Sequence, residues 1–236
     1  MSRVFSSCPH FEEGQHVLLD PNEQHHLQRV LRLKSHDQVQ IINGHGELAT
    51  AEVVSGGCNI LHVTRTSAQP GCRVAMPLLR PGHLDFAIEK LTEFGVTDIM
   101  VFRSDFSDRS ELTPSLQRRL SSLMVAALKQ SGQLFMPKLT YVHSLHEAIR
   151  LMPTPRLFAD LQPQAQYLHK LLSSLQITEG VSVFIGPESG WSDDEKKLLA
   201  SHAQCVLLHT NVLRAETAAV VAAYECSVFV QNSSRN

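Results

Sequence analysis

The sequence predicts an α/β protein in two parts: a small β-barrel over residues 1–70, then an α/β domain with a parallel sheet over residues 71–236. Three observations predict it. Short strand patterns with turn residues between them fill the first part. From Val74 onward, strand patterns alternate with helical ones, the order that builds a parallel sheet. Between the two stands Pro70-Gly71, a dipeptide that interrupts both helix and strand.

In the first part, Gln15–Leu19, Gln38–Ile42 and Glu47–Val54 are strand candidates. Asn43-Gly44, between the last two, tolerates the positive φ angles of a tight type I′ hairpin turn. One short helix interrupts the strands. Asp20 suits its N-cap, Pro21 its first position, and Glu23 the positive end of its dipole. Leu27, Val30 and Leu31 would share its apolar face at helical spacing.

In the second part, Val74–Leu79 reads as a strand, His83–Phe94 as a helix with Gly95 as its C-cap, and Asp98–Phe102 as a strand. Pro114–Lys129 reads as a helix and Lys138–Val142 as extended chain. Ser144–Leu151, Arg156–Leu161 and Pro163–Leu175 continue the alternation. Val181–Ile185 is short and almost wholly apolar, as buried parallel strands are.

The 236 residues are 43% hydrophobic and 19% charged, which suits a globular protein with a real core. The formal net charge of -2 excludes a globally basic, sequence-blind nucleic-acid binder, although a local basic patch is compatible with it. The five cysteines are scattered and form no C-x-x-C pair, so neither a disulfide framework nor a zinc site follows. His25-His26 and His143/His146 lack a carboxylate or cysteine context and read as surface residues rather than metal ligands. No apolar run approaches the roughly 20 residues that span a bilayer, and the first residues do not read as a secretory signal. The expectation is a cytoplasmic protein in a reducing compartment, with no membrane and no metal.

Two segments carry the chemistry. In the first, the Val181–Ile185 strand runs into Gly186-Pro187-Glu188-Ser189-Gly190, and a helix follows. Ser192 and Glu195 have the spacing of a capping box. Ligands of parallel sheets bind outside the carboxyl ends of strands, and the two glycines let a backbone approach one closely. On spacing alone a plain turn is the commoner reading. Glu188, a carboxylate between two glycines with no structural duty, weighs against it. In the second segment, Val206–Leu208 runs into His209–Leu213 and then an alanine-rich helix. Arg214 and Glu216 flank the helix start. The bland reading is an exposed pair of little energetic value; the functional one has Arg214 and Thr217 fixing a loop around a ligand. G-x-G-x-x-G, Walker and G-x-S-x-G motifs are absent.

Ile185–Gly190 together with Leu213-Arg214-Ala215-Glu216-Thr217-Ala218 resembles the two cofactor loops of the SPOUT superfamily, and more narrowly those of the RsmE family of 16S ribosomal RNA uridine-N3 methyltransferases. His25–Arg32 is similar to that family's N-terminal signature, and Glu89–Val96 resembles its segment after the first catalytic-domain strand. Each motif is weak alone; four in order over most of the chain are specific. The resemblance implies a PUA-like β-barrel followed by a SPOUT domain tied in a trefoil knot, a homodimer, S-adenosyl-L-methionine as cofactor, and ribosomal RNA of the small subunit as partner. It implies cofactor contacts at Leu161, Ile185, Gly186, Pro187, Glu188, Gly190, Leu208, His209, Leu213, Arg214, Thr217 and Ala218, with Arg214 and Glu188 as catalytic candidates. The chain departs from the family pattern in places. Lys129 stands where an acid is frequent, and Gln133 and Phe135 where arginines are expected. Ser189 replaces a usual glycine, and Asn211 stands where arginine or another polar residue is common.

Methylating N3 of uridine requires loss of the N3 proton, through a general base or through donors that stabilise the anion on O2 and O4. Arg214 is the candidate for electrostatic support; no residue stands out as the base. His25, Arg29, Arg32, Lys34, Arg103 and Arg109 are candidate RNA contacts, each of them individually more ordinary as a solvated charge. Two alternatives stay open: a non-catalytic RNA-binding or ribosome-assembly factor that retains the fold, and another SPOUT specificity such as ribose 2′-O or guanine-N1.

Overall fold

The computed structural model describes residues 2–107, 111–175 and 180–233. They form two compact units. One comprises Met1–Gln69 with Val125–Met136, and the other Pro70–Met124 with Pro137–Asn236. The segment Val125–Met136, which the two-part reading of the sequence assigns to the second domain, thus groups with the first.

The N-terminal unit is a five-stranded mixed sheet of β1 (Arg3–Phe5), β2 (His16–Leu18), β3 (Gln38–Ile42), β4 (Glu47–Val54) and β5 (Gly57–Arg65), in the order β1-β3-β4-β5-β2. Only β1 and β3 pair in parallel. Along β4 buried and half-buried residues alternate strictly, the period of a sheet with one face on a core. Val4 and Val17 on the two edge strands join Val39, Ile41, Ala49 and Ile60 in one apolar cluster, so the sheet wraps a single core as a half-barrel.

The β3–β4 connection is longer than the two-residue turn that Asn43-Gly44 suggests. Ile42 pairs with Leu48, and both Gly44 (φ 76°) and Gly46 (φ 91°) turn left-handed. The Asn43 carboxamide oxygen accepts from the N–H of His45 at 2.9 Å and of Glu47 at 3.3 Å, closing a wider loop over its own backbone.

Helix α1 (Pro21–His25) starts as its sequence suggests, with Asp20 accepting from Glu23 N–H at 2.9 Å and Pro21 at the first position. The next five residues, His26–Val30, then widen into a π-helical turn, closed by Leu31 N–H on His26 O at 2.9 Å. The wider turn breaks the expected apolar face: Leu27 is 3% exposed, whereas Val30 swings out to 61%. The Glu23 carboxylate bonds Lys129 Nζ at 2.6 Å and Phe5 N–H at 3.2 Å. Lys129 is therefore the counter-ion of a buried glutamate.

The second unit is a fully parallel seven-stranded sheet. Its elements are β6 (Cys72–Pro77), α2 (Pro81–Glu93), β7 (Asp98–Phe102), α3 (Pro114–Ser131), β8 (Lys138–Val142), α4 (Leu145–Leu151), β9 (Arg156–Ala159), β10 (Gln166–Tyr167), α5 (Leu168–Ser174), β11 (Val181–Phe184), α6 (Asp193–His202), β12 (Gln204–Leu207) and α7 (Ala215–Ser233). The last turns of α3 group with the first unit. The strand order is β10-β12-β9-β11-β6-β7-β8. After β8 the chain crosses to the far side of β6 and lays down β9. β11 later fills the place between β9 and β6, and β12 the place between β9 and β10.

β9 stops at Ala159 rather than running on to Leu161. The stretch 163–175 divides into the two-residue β10 and α5. Helices α2, α5 and α7 pack together, with α7 against β6. Helices α4 and α6 lie over the cluster formed by Ala75, Phe102, Phe158 and Phe184. No helix among the described residues is long and apolar enough to cross a membrane.

Candidate active site

β9, β11 and β12 run in parallel and end together, and the segments that follow them enclose a cavity of about 320 Å³. Ala159–Leu161, Ile185–Trp191, Leu208-His209 and Asn211–Leu213 line it, with Ala215 and Ala218 of α7 closing one side. This is where an open parallel sheet places its ligands.

The first loop is built to be thin and fixed. Ile185 N–H donates to Ala75 O at 2.8 Å, holding the strand end against β6. A Cβ on Gly186 would sit 3.0 Å from the Trp191 ring, so only glycine leaves the indole undisturbed. Trp191 stacks on Phe102 with centroids 6.1 Å apart and donates from Nε1 to Ala159 O at 3.0 Å, tying the β11 loop to the end of β9. Gly190 (φ 79°) closes the turn by donating to Pro187 O at 2.9 Å. Behind it, Ser192 and Glu195 complete the capping box of α6. The buried Glu195 carboxylate also accepts from Ser104 Oγ at 2.7 Å and Asp105 N–H at 3.1 Å.

The rest of the lining is mostly apolar, with backbone polar groups and two carboxylates. Asp160 accepts from the Leu161 N–H at 3.0 Å. His209 Nδ1 accepts from Asn211 N–H at 3.0 Å, which fixes the bend of the β12 loop. The nearby Cys205 thiol is pushed up to about 11 by burial and by the charge of Asp160, so it stays protonated and unreactive at neutral pH. Glu188 reaches toward His83 on α2: its Oε1 lies 3.7 Å from His83 Nδ1, and Oε2 of the buried Glu216 lies 3.3 Å from the same nitrogen. Both approaches are within ion-pair reach, but neither forms a hydrogen bond, and neither Nδ1 nor Glu216 Oε2 has a hydrogen-bond partner among the described residues.

Among the candidate cofactor residues, Leu161, Ile185, Gly186, Pro187, Glu188, Gly190, Leu208, His209, Leu213 and Ala218 line the cavity. Arg214 and Thr217 do not. Helix α7 turns Ala215 and Ala218 toward the cavity, and residues one position earlier point about 100° away. Arg214 is exposed with no side-chain partner among the described residues, and Thr217 is half-buried. Arg214 and Glu216 are also not a surface pair, since Glu216 is turned inward to His83. Trp191, Asp160 and His83 are absent from the sequence-based site. Trp191 had a readable signal, being the sole tryptophan and directly following the glycine loop. His83 had none, because its partners come from two other elements.

His25 ends α1, Arg29 lies on the π-helical turn and Arg32 and Lys34 follow it; all four are exposed in the N-terminal unit. Arg103 is exposed at the end of β7, where with His143 and His146 it lines a second cavity of about 470 Å³ that also carries Asp105 and Asp194. Arg109 lies outside the described residues. No group of three His, Cys, Asp or Glu among the described residues is placed to hold a metal ion.

Comparison with known proteins is consistent along the chain. Residues 67–226 match the family model described as an RNA methyltransferase domain, and residues 19–64 match an RNA methyltransferase PUA domain. A "Ribosomal RNA small subunit methyltransferase E" of Rickettsia conorii is 24% identical over 229 residues, covering 94% of this chain and 93% of the relative. One from Borreliella burgdorferi is 25% identical, covering 86% and 87%. Among solved structures, a ribosomal RNA small subunit methyltransferase E from Neisseria gonorrhoeae bound to S-adenosyl methionine superposes with a TM-score of 0.80 at 24% identity, over 95% of each chain. A Legionella pneumophila protein in complex with the bound cofactor SAM gives 0.84 at 22% identity, over 96% of each. The fold is thus that of SPOUT methyltransferases with a PUA-like domain, and the chain belongs to the RNA methyltransferase family.

Proposed function

We propose that this protein transfers the methyl group of S-adenosylmethionine to N3 of a uridine in 16S ribosomal RNA of the small subunit. The observation that carries the reading is the cavity enclosed by the β9, β11 and β12 segments. Its chemistry fits the cofactor. Leu161, Ile185, Leu208 and Leu213 offer apolar surface to a purine, the backbone of the glycine loop offers hydrogen bonds, and Asp160 and Glu188 offer acceptors to hydroxyls or an ammonium. The Neisseria and Legionella proteins, which share the fold, hold this cofactor. The relatives named above are ribosomal RNA small subunit methyltransferases.

The cofactor supplies an electrophilic methyl group. The protein's own residues orient and desolvate the reactants. Gly186 and Gly190 let the loop approach closely, and Trp191 keeps it rigid. Arg214, exposed beside the cavity-lining Leu213 and Ala215, supplies positive charge to the uridine as N3 loses its proton. Arg29, Arg32, Lys34 and His25 contact RNA phosphates, with Arg103 as a further contact on the catalytic unit. The same reading includes a trefoil knot formed where β11 and β12 are inserted, a cytoplasmic location, and a homodimer. The homodimer is supported by Phe86 on α2 and Tyr224 and Val228 on α7, large apolar side chains left exposed on packed helices.

Calorimetry with S-adenosylmethionine, followed by tritium methyl transfer to undermethylated small subunits, tests the reading. Saturable binding and transfer are expected. Binding without transfer would favour the non-catalytic assembly factor, and absence of binding would remove the cofactor assignment.

A further inference from the structure

We infer that the cavity at the ends of β7 and β8 is a second subsite for the substrate RNA, holding a nucleotide that flanks the target uridine; this rests on the function proposed above. One segment serves both cavities. Trp191 lines the first, and Asp194 and Glu195, a few residues on, line the second. Phe102 stacks on Trp191, and the next residue, Arg103, lines the second cavity. Ser104 Oγ donates to Glu195 at 2.7 Å and Ser192 Oγ to Asp105 at 2.5 Å, so the end of β7 and the start of α6 form one fixed partition. The strand ends are also level. Leu78 N–H donates to Phe102 O at 3.1 Å, and Arg103 N–H to Val142 O at 3.4 Å. Two strand spacings separate β7 from β11, placing their ends about 10 Å apart. A short stretch of single-stranded RNA covers that span.

The lining carries both kinds of polar group that a ribonucleotide requires. Arg103, His143 and His146 offer donors, and none of these three side chains makes an ion pair or hydrogen bond among the described residues. The His143 ring meets Tyr141 edge-on, with centroids 5.2 Å apart. Arg103 presents a planar fork that matches a phosphate. Of the three carboxylates, Glu195 is saturated by Ser104 Oγ and the N–H groups of Asp105 and Ser192. Asp105 is held by Ser192. Asp194 meets only Lys197, at 3.2 Å, and 89% of its side chain is exposed. It is the carboxylate left to accept from a ribose hydroxyl or a base N–H. A site for a bare phosphate gains nothing from a carboxylate. A ribonucleotide presents phosphate oxygens and hydroxyl or base donors in one unit, and suits both. The volume of about 470 Å³ lies within the range of small-ligand sites, about 300–1,000 Å³.

The test compares Arg103→Ala, Asp194→Ala and Asp194→Asn with the wild type at one salt concentration. It measures methyl-transfer kinetics on undermethylated small subunits and binding to the same subunits by co-sedimentation. Both side chains are exposed, so the variants are expected to fold. Arg103→Ala is expected to raise KM for subunits and weaken binding about tenfold, the worth of one charged hydrogen bond. Asp194→Ala is expected to lose about as much, whereas Asp194→Asn, which keeps an acceptor oxygen, stays near the wild type. A cavity that met RNA only through its overall charge gives the opposite sign. Both Asp194 variants would then bind more tightly, because each removes a negative charge that faces phosphate.

Tighter or unchanged binding by Asp194→Ala, or unchanged binding by Arg103→Ala, overturns the subsite. Affinity for S-adenosylmethionine, by calorimetry, is expected to match the wild type in all three variants, and a loss there also overturns it. Should Arg103→Ala fail to fold, His146→Ala takes its place with the same expected loss. Subunit binding that Arg103 and Asp194 govern, with no methyl transferred, leaves the subsite standing and removes the function proposed above. Methyl transfer with wild-type KM in all variants does the reverse. A wild type that binds no subunits overturns both.

Discussion

Arg214 and Glu216 stand two positions apart and meet opposite fates: the arginine is exposed without a side-chain partner, and the glutamate is buried beside His83. That contrast makes Arg214 testable. Replacing an exposed, unpartnered side chain leaves folding almost untouched, within about 0.5 kcal/mol. Removing positive charge from a site where an anion develops costs about 10²-fold or more in turnover. Arg214→Ala is therefore expected to keep the thermal midpoint of the wild type while methyl transfer drops by about two orders of magnitude. Unchanged turnover would take Arg214 out of the site. The glycine loop was legible from sequence because glycines, a proline and a capping box act on their immediate neighbours. The inward turn of Glu216 was not, because it depends on a histidine brought in by a distant helix.

At the scale of single elements, His25 at the end of α1 and Arg29 on the π-helical turn face solvent, and Arg32 and Lys34 follow. Removing one cation that pairs with a phosphate should lower the salt slope of RNA binding by about 1. Arg29→Ala and Lys34→Ala are each expected to do so in filter binding to 16S RNA across a salt series. A slope equal to that of the wild type would mean that these cations do not touch phosphate.

Helix α7 carries a different signature. Burial raises Glu225 above the ordinary carboxylate range, an effect His169 only partly opposes. The folded state therefore holds this proton more tightly than the unfolded chain. The stability this contributes is present at acid pH and is lost as pH rises from the ordinary glutamate range through the raised folded value. Glu225→Gln should thus be more stable than the wild type at neutral pH, with a gain that shrinks on acidification, as read by thermal unfolding at several pH values. A variant equally or less stable at pH 7 contradicts this. Caps were the most legible part of the elements, as Asp20, Ser192 and Gly95 show. The π-helical turn was not, since nothing in Leu27, Val30 and Leu31 distinguishes it from an α-helical repeat.

For the whole molecule, the alternation of strands and helices revealed a parallel sheet, but not the order of its strands. The insertion of β11 between β6 and β9, and of β12 between β9 and β10, rests on pairings between stretches far apart in the chain. Local patterns carry no record of such pairings. The exposed Phe86, Tyr224 and Val228 bear on assembly: sedimentation velocity should show a dimer, and Tyr224→Asp should shift it toward monomer, whereas a monomeric wild type would refute the dimer. The central claim concerns the chemistry at the loop-bounded cavity, and nucleoside mass spectrometry of undermethylated small subunits incubated with the protein and S-adenosylmethionine addresses it most directly. A single new 3-methyluridine in the 16S RNA is the predicted product. A ribose-methylated nucleoside, a 1-methylguanosine, or an unmodified RNA would contradict it.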